Sequence, residues 1–481
     1  MSLLSAFSQQ CEINSDKVAL IEGNNQLSYQ QLKLQAEQLS SLIFARNPDC
    51  QRVIIAIERG IDATIAILSV LGIGACYIPL DIKNPVHRLR YIVNDADAQC
   101  VIGKGPCPEW LDKPEHWLDI SQHTTIDPLH TWPITVNEQS LAAILYTSGS
   151  TGNPKGVALS HKAMGNFADW AGNTFNITEK DNIGSLAPFH FDLSVFDLFT
   201  SLNRAATIHF VPGKLTLSPS RLTSWLSEHC ISVWYTVPSL LSYITHKGAL
   251  VETDLSHLRT ILFAGEVFST QQLIKLSDFL PKVDLYNLYG PTETNVCCYW
   301  PVDRKCLKAD STIPIGIAAC DAKLKIDSET GELLVQSTNN LSGYWQQGKL
   351  IPALSSDNYY ATGDKVSINN LGEYCYHGRL DRMLKCSGYR VEPAEIEQII
   401  LQCPEVKSCA VIGIKDIISG QRLAAAVVLK TGTTLAEIIR PIKQRLPSYM
   451  QPSKFKVLSS MPQLSNGKID YKMLQKQLEN T

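Results

Sequence analysis

Leu145-Tyr-Thr-Ser-Gly-Ser-Thr-Gly-Asn-Pro-Lys-Gly156 is the stretch on which the fold turns. It grows out of an apolar run, Leu141–Tyr146, that reads as a buried strand, and Val157-Ala-Leu159 reads as a second strand. Three glycines and four hydroxyl residues sit within ten positions. Gly149, Gly152 and Gly156 let the backbone approach a polyanion and turn its N–H groups inward. Thr147, Ser148, Ser150 and Thr151 add donors, and Lys155 adds a positive charge. This is phosphate-binding chemistry. It differs from the Gly-x4-Gly-Lys-Ser/Thr loop, because Gly156 follows the lysine and a strand follows the glycine. A polar surface loop is the plain alternative, and the ordered run of hydroxyls, glycines and lysine argues against it.

On both sides of this loop, β-rich runs alternate with helical patterns. Val53–Ile57, Ile231–Thr236 and Leu258–Phe263 read as strands; Tyr29–Phe44 and Pro219–Glu228 read as helices. The expectation is an α/β fold: a large N-terminal body of parallel and mixed sheets covered by helices. A small β subdomain is expected around Thr312–Gly348, where turn signals cluster. After Gly378 the style changes to a small α+β unit: helix at Val391–Cys403, strands at Ser408–Ile414 and Leu423–Leu429, helix at Leu435–Leu446. The expected division is 1–380 for the core and 381–481 for a mobile C-terminal domain.

The chain has 481 residues, 44% hydrophobic and 19% charged, a globular composition that excludes a disordered chain. A net charge of −3 argues against a nucleic-acid partner. Fourteen cysteines without any Cys-x-x-Cys pair, and an N-terminus without a secretory pattern, predict reduced thiols in the cytoplasm. Ala63–Leu80 carries no charge, yet Gly72, Gly74 and Pro79 break it. It reads as a buried helix, a turn and a short strand at Cys76–Ile78, not as a membrane span.

The glycine-rich loop resembles the signature of the adenylate-forming superfamily, which includes acyl-CoA ligases, luciferases and the adenylation domains of non-ribosomal peptide synthesis. Five further segments resemble that family's motifs in order: Leu71–Asp81, Asn287-Leu-Tyr-Gly-Pro-Thr-Glu-Thr294, Tyr360-Ala-Thr-Gly-Asp364, Gly378–Gly388 and Asn466-Gly-Lys-Ile-Asp470. The resemblance implies ATP and Mg²⁺. It places Asn287, Tyr289, Gly290, Thr292, Asp364, Tyr376 and Arg379 around the nucleotide, beside the loop. Tyr289 would stack on adenine, Asn287 would bond the base amino group, and Asp364 would accept the ribose hydroxyls. Glu293 would hold the metal, a hard oxygen for a hard cation. Asp381 would be the hinge. Lys468, with Glu293 and Thr147, would carry catalysis, and the C-terminal domain would swing Lys468 away between half-reactions.

Phe191-Asp-Leu-Ser-Val-Phe-Asp-Leu-Phe199 bears on the substrate. By resemblance Asp192 pairs with the α-ammonium of an amino acid, the cationic partner that a buried carboxylate needs. The implied pocket is Asp192, Leu193, Phe196, Thr236, Leu262, Ala264, Leu288, Val296 and Cys297, closed by Lys468. It is nearly apolar, so a small or medium apolar amino acid fits. The set is similar to that of free-standing prolyl-activating enzymes that feed pyrrole biosynthesis. It departs from them at Phe196 and Thr236, where a Leu and a Tyr are expected. L-Proline is the first expectation; alanine, serine or a branched amino acid is the alternative, and an acyl-CoA ligase for a non-amino acid is another. The chain stops shortly after Lys468 and shows no carrier signature, so the acceptor thiol is expected on the phosphopantetheine of a separate peptidyl carrier protein.

Overall fold

The computed structural model describes residues 3–122, 131–149, 152–248, 250–309, 312–416, 420–464 and 468–479. Among them, two large sheets form the N-terminal body. The first runs, in spatial order, Ile317–Ala318, Cys298–Pro301, Asp284–Tyr289, Thr260–Phe263, Val233–Thr236, Asn182–Ser185, Thr207–Phe210, Val18–Glu22 and Asn25–Ser28. Its centre is parallel, from Asp284–Tyr289 across to Val18–Glu22. The second pairs Leu141–Thr147 antiparallel with Lys155–Ser160, and parallel with Cys76–Pro79. The glycine-rich loop is therefore the turn of a hairpin at a sheet centre, which explains why two strands flank it.

Local chemistry accounts for the helices. Ser28 caps Tyr29–Arg46 through a reciprocal pair: its Oγ accepts from Gln31 N–H, and the Gln31 side chain accepts from Ser28 N–H. Proline opens Pro219–Glu228, Pro238–Lys247 and Pro393–Leu401, where a missing N–H costs nothing. The uncharged run resolves as the buried helix Ile61–Gly72 and the buried strand Cys76–Pro79. No described helix is long and apolar enough to cross a membrane. All fourteen cysteines are free thiols.

Two expectations need correction. The small β unit is a four-stranded sheet of Lys323–Ile326, Glu332–Gln336, Tyr360–Ile368 and Tyr374–Arg379, so it extends well beyond Gly348. The strand Gly343–Gln346, placed in that unit by its turn signals, instead joins the second large sheet against Lys155–Ser160. The second correction concerns Val391, which ends a strand; the helix begins at Pro393. Leu384–Cys386 and Tyr389–Val391 form a hairpin that periodicity did not reveal, because its strands are three residues each. Ser387 and Gly388 both take positive φ, 52° and 80°, which a two-residue hairpin turn requires. The C-terminal part has its own apolar cluster, from Cys386 and Val391 to Leu446 and Met450. Its sheet is Val406–Asp416, Gly420–Leu429 and Lys454–Val457.

Candidate functional site

Two cavities meet where the strand ends of the first sheet face the hairpin Leu384–Val391. The smaller, about 120 Å³, is lined by Thr147, Ser148, Asp192, Leu193, Tyr235, Ala264, Gly290, Thr292, Val296, Asp364 and Arg379, among others. The larger, about 940 Å³, carries Asn287, Leu288, Tyr289, Tyr376, Arg379 and Asp381. Residues from five separate motifs thus converge on one region. Ser150 and Thr151 lie outside the described residues.

At the nucleotide end, Asp364 is buried, with Tyr289 Oη donating to its Oδ2 at 2.5 Å and Arg379 Nη1 donating to its Oδ1 at 2.9 Å. Arg379 also grips Asp381 through Nε, 2.8 Å from Oδ1. The Asn287 amide nitrogen donates to the Pro314 carbonyl at 2.8 Å, which directs the side-chain oxygen as the acceptor an exocyclic amine needs. Tyr376 and Tyr289 have ring centres 6.4 Å apart.

Glu293 is the electrostatic centre. It is fully buried, and burial alone would raise its carboxyl; Arg390 and Lys155 overcome this and hold it well below the usual carboxylate range. Arg390 Nη1 lies 2.8 Å from Oε1 and 3.1 Å from Oε2. Lys155 Nζ lies 3.2 Å from Oε1 and 3.9 Å from the centre of the Tyr344 ring. Tyr344 Oη donates to Oε1 at 2.9 Å. An anionic, cation-seeking carboxylate suits Mg²⁺. No group of three metal-binding side chains occurs among the described residues. That donor set fits a magnesium held by one carboxylate together with substrate phosphates, and does not fit an all-protein cage.

Asp192 lines the smaller cavity. Burial pushes its carboxyl up to about 6, while the Thr292 hydroxyl and the Lys385 ammonium pull it down. The strand Val233–Thr236 decides the neighbouring wall. Successive side chains on a strand face opposite ways. Tyr235 lines the smaller cavity and Thr236, expected in the pocket, does not. Phe196 does not line the cavity either; it is fully buried and meets Tyr235 edge-on, ring centres 5.6 Å apart. Leu262 and Cys297 are buried and line neither cavity, and Leu288 faces the larger one.

Lys468 is exposed and lines neither cavity; its carbonyl accepts from Leu464 N–H at 2.8 Å. The hairpin instead supplies Lys385 and Arg390. The sequence reading missed Arg390, Tyr235 and Tyr344. Arg390 lies two residues past the Gly378–Gly388 segment, a cation on a short strand, and that was the available signal.

The convergence of these motifs is matched by comparison with known proteins. Residues 7–345 match the model of the AMP-binding enzyme family, and residues 395–468 match that of the AMP-binding enzyme C-terminal domain. The chain belongs to the AMP-binding enzyme family. This member is a ligase of the AMP-forming type and uses ATP with Mg²⁺. It is 34% identical to an L-proline--[L-prolyl-carrier protein] ligase of Pseudomonas fluorescens, over 96% of each chain. It is 30% identical to a D-alanine--D-alanyl carrier protein ligase of Bacillus cytotoxicus, over 98% of this chain and 99% of that one. Among solved structures, the amide bond synthetase McbA of Marinactinospora thermotolerans shares the fold, with a TM-score of 0.88 at 20% identity over the full length of both chains.

Proposed function

We propose that this AMP-binding enzyme activates L-proline as prolyl-AMP, releases pyrophosphate, and passes the acyl group to the phosphopantetheine thiol of a separate peptidyl carrier protein in the cytoplasm. The observation that carries the reading is Asp192 in the smaller cavity, walled by Tyr235 with Phe196 behind it. A buried carboxylate needs a cationic partner, and an amino acid supplies one in its α-ammonium. Tyr235 is an aromatic wall next to the expected position, and Phe196 and Thr236 remain the two departures from the prolyl pattern. The names of the prolyl-carrier and alanyl-carrier relatives support a small amino acid and a carrier acceptor.

The chemistry follows from the placement. The substrate carboxylate is already ionised at neutral pH and attacks the α-phosphorus without a general base. The chain contributes orientation and charge. Asp364, Tyr289 and Arg379 fix the ribose end, and Thr147, Ser148 and Lys155 face the phosphates. Glu293 would hold Mg²⁺, which when bound neutralises phosphate charge. Lys468 is the proposed cation for the adenylation step; reaching the site requires the C-terminal part to turn about Asp381. A panel of amino acids in ATP–pyrophosphate exchange, followed by mass measurement of a holo carrier protein, tests the reading. Strong exchange with proline and a carrier mass gain of one prolyl group are expected. Exchange with no amino acid would overturn it.

A further inference from the structure

The smaller cavity holds a donor just past the Asn287–Thr294 motif. Asn295 lines it and is 5% exposed. Its backbone takes a φ of 51°, in the left-handed region that asparagine tolerates and a β-branched residue does not. Its carboxamide is oriented: Oδ1 accepts from Val296 N–H at 2.8 Å, so the NH₂ end is the one left over. That Nδ2 is buried and meets no acceptor among the described residues.

The Val296 peptide beside it is held at both ends. Asn339 Nδ2 reaches the Val296 carbonyl at 3.5 Å, and Asn339 is itself fixed by Asn166 Nδ2, 2.7 Å from its Oδ1. The Asn295 carbonyl packs on Gly290 so closely that a Cβ there would meet it at 1.5 Å. Gly290 lines both cavities, so Asn295 stands where the two meet. A buried donor without an acceptor is costly, and a fixed one beside a cavity is a group that a ligand can satisfy.

Charge decides what the ligand must offer. Asp192 takes the cationic end of an amino acid, and an ammonium has no acceptor to give Asn295. The other end of the same molecule is a carboxylate, which only accepts. At the junction of the cavities that carboxylate meets the α-phosphorus. One of its oxygens forms the new P–O bond as pyrophosphate leaves, and the second oxygen is an acceptor before and after that step.

We propose that Asn295 is a substrate-binding residue whose Nδ2–H donates to the carboxylate oxygen that does not attack phosphorus, so that Asp192 and Asn295 together read the two poles of an α-amino acid. The proposal rests on the amino-acid-activating reading above. A carboxylate held by one oxygen presents the other in a fixed direction. An acid without the ammonium, or an amine without the carboxylate, satisfies one of the two groups and leaves the other unpaired.

Exchange kinetics of the full chain test this, using the amino acid that the wild type prefers and the corresponding amine without the carboxyl group as competitor, pyrrolidine in the case of proline. Asn295→Asp keeps Oδ1 for Val296 N–H and replaces the donor with an acceptor. KM for the amino acid should rise about a hundredfold, with KM for ATP little altered and the amine inhibiting no more weakly than in the wild type. Asn295→Gly suits the positive φ and removes the side chain. It should raise the amino-acid KM about tenfold on the same pattern, and it carries the test if the aspartate variant does not fold. A side chain that only holds the wall would weaken amino acid and amine alike. That outcome, an amino-acid KM unchanged in both variants, or a larger change in KM for ATP than for the amino acid would overturn the assignment while the wild type remains active. A wild type that exchanges with no amino acid would instead overturn the function, and this assignment with it.

Discussion

Phe196 meets Tyr235 edge to face, with ring centres 5.6 Å apart and planes at 87°, so a fully buried ring sets the position of the ring that walls the cavity. This two-layer wall ties substrate size to core packing.

Changing the wall should change the preferred amino acid. Tyr235→Ala opens the cavity directly and should shift exchange from proline toward larger apolar amino acids by about tenfold in kcat/KM. Phe196→Leu acts from behind and should do the same more weakly. Thr236→Ala should leave the ranking of amino acids unaltered. A panel of exchange rates reads all three; a larger shift from Thr236→Ala than from Tyr235→Ala would contradict the observed register.

Acid should weaken amino-acid capture. The Asp192 carboxyl is pushed up to about 6 by burial, so it is ionised above that pH and protonated below it. Only the ionised form pairs with an ammonium. kcat/KM for the amino acid should therefore fall about tenfold per pH unit below 6, since that ratio reports the free enzyme. Asp192→Asn should be low at every pH and should lose this limb of the profile.

Asp364 binds Tyr289 and Arg379 through different oxygens, which orients it for a sugar diol. Tyr289→Phe keeps the ring and removes the 2.5 Å bond. A hydrogen bond to a charged group is worth roughly 1.5–3 kcal/mol. KM for ATP should rise between about tenfold and about a hundredfold, with the amino-acid KM little altered. Calorimetric titration with AMP gives the same comparison without turnover.

Lys468 and Gly388 should separate the half-reactions. Lys468 lines neither cavity in this pose, so Lys468→Ala should depress exchange by about 10²–10³ and spare transfer from preformed prolyl-AMP. Gly388 is the opposite case: a Cβ there would meet Val237 Cγ1 at 2.7 Å, and its φ is +80°. Gly388→Ala should slow transfer to the carrier more than it slows exchange. Stopped-flow exchange and carrier mass measurements give both rates.

Much of this was legible along the chain because it is local. Loop residues that approach phosphate must be glycine or hydroxyl, and strand, helix and turn each write a short period into the sequence. The α/β class and the uncharged run Ala63–Leu80 come from that short-range record, while the candidate residues Asp192, Glu293 and Asp364 come from the resemblance of short motifs to the family's. The strand Val233–Thr236 shows its limit. Successive side chains face opposite ways, and four buried residues in a row carry no alternation that says which of them faces the cavity.

Long-range pairing was decided only in three dimensions. Arg88 and Glu395 lie 307 positions apart, and each alone reads as a solvated charge. Burial makes them partners, because neither could lose its water without the other. The same holds for Arg390 on Glu293. The sequence by itself determined which groups could handle an adenylate. The tertiary structure decided which of them face one another in this pose, with Lys385 and Arg390 at the site and Lys468 outside both cavities, since that depends on where the C-terminal part packs and not on any local signal.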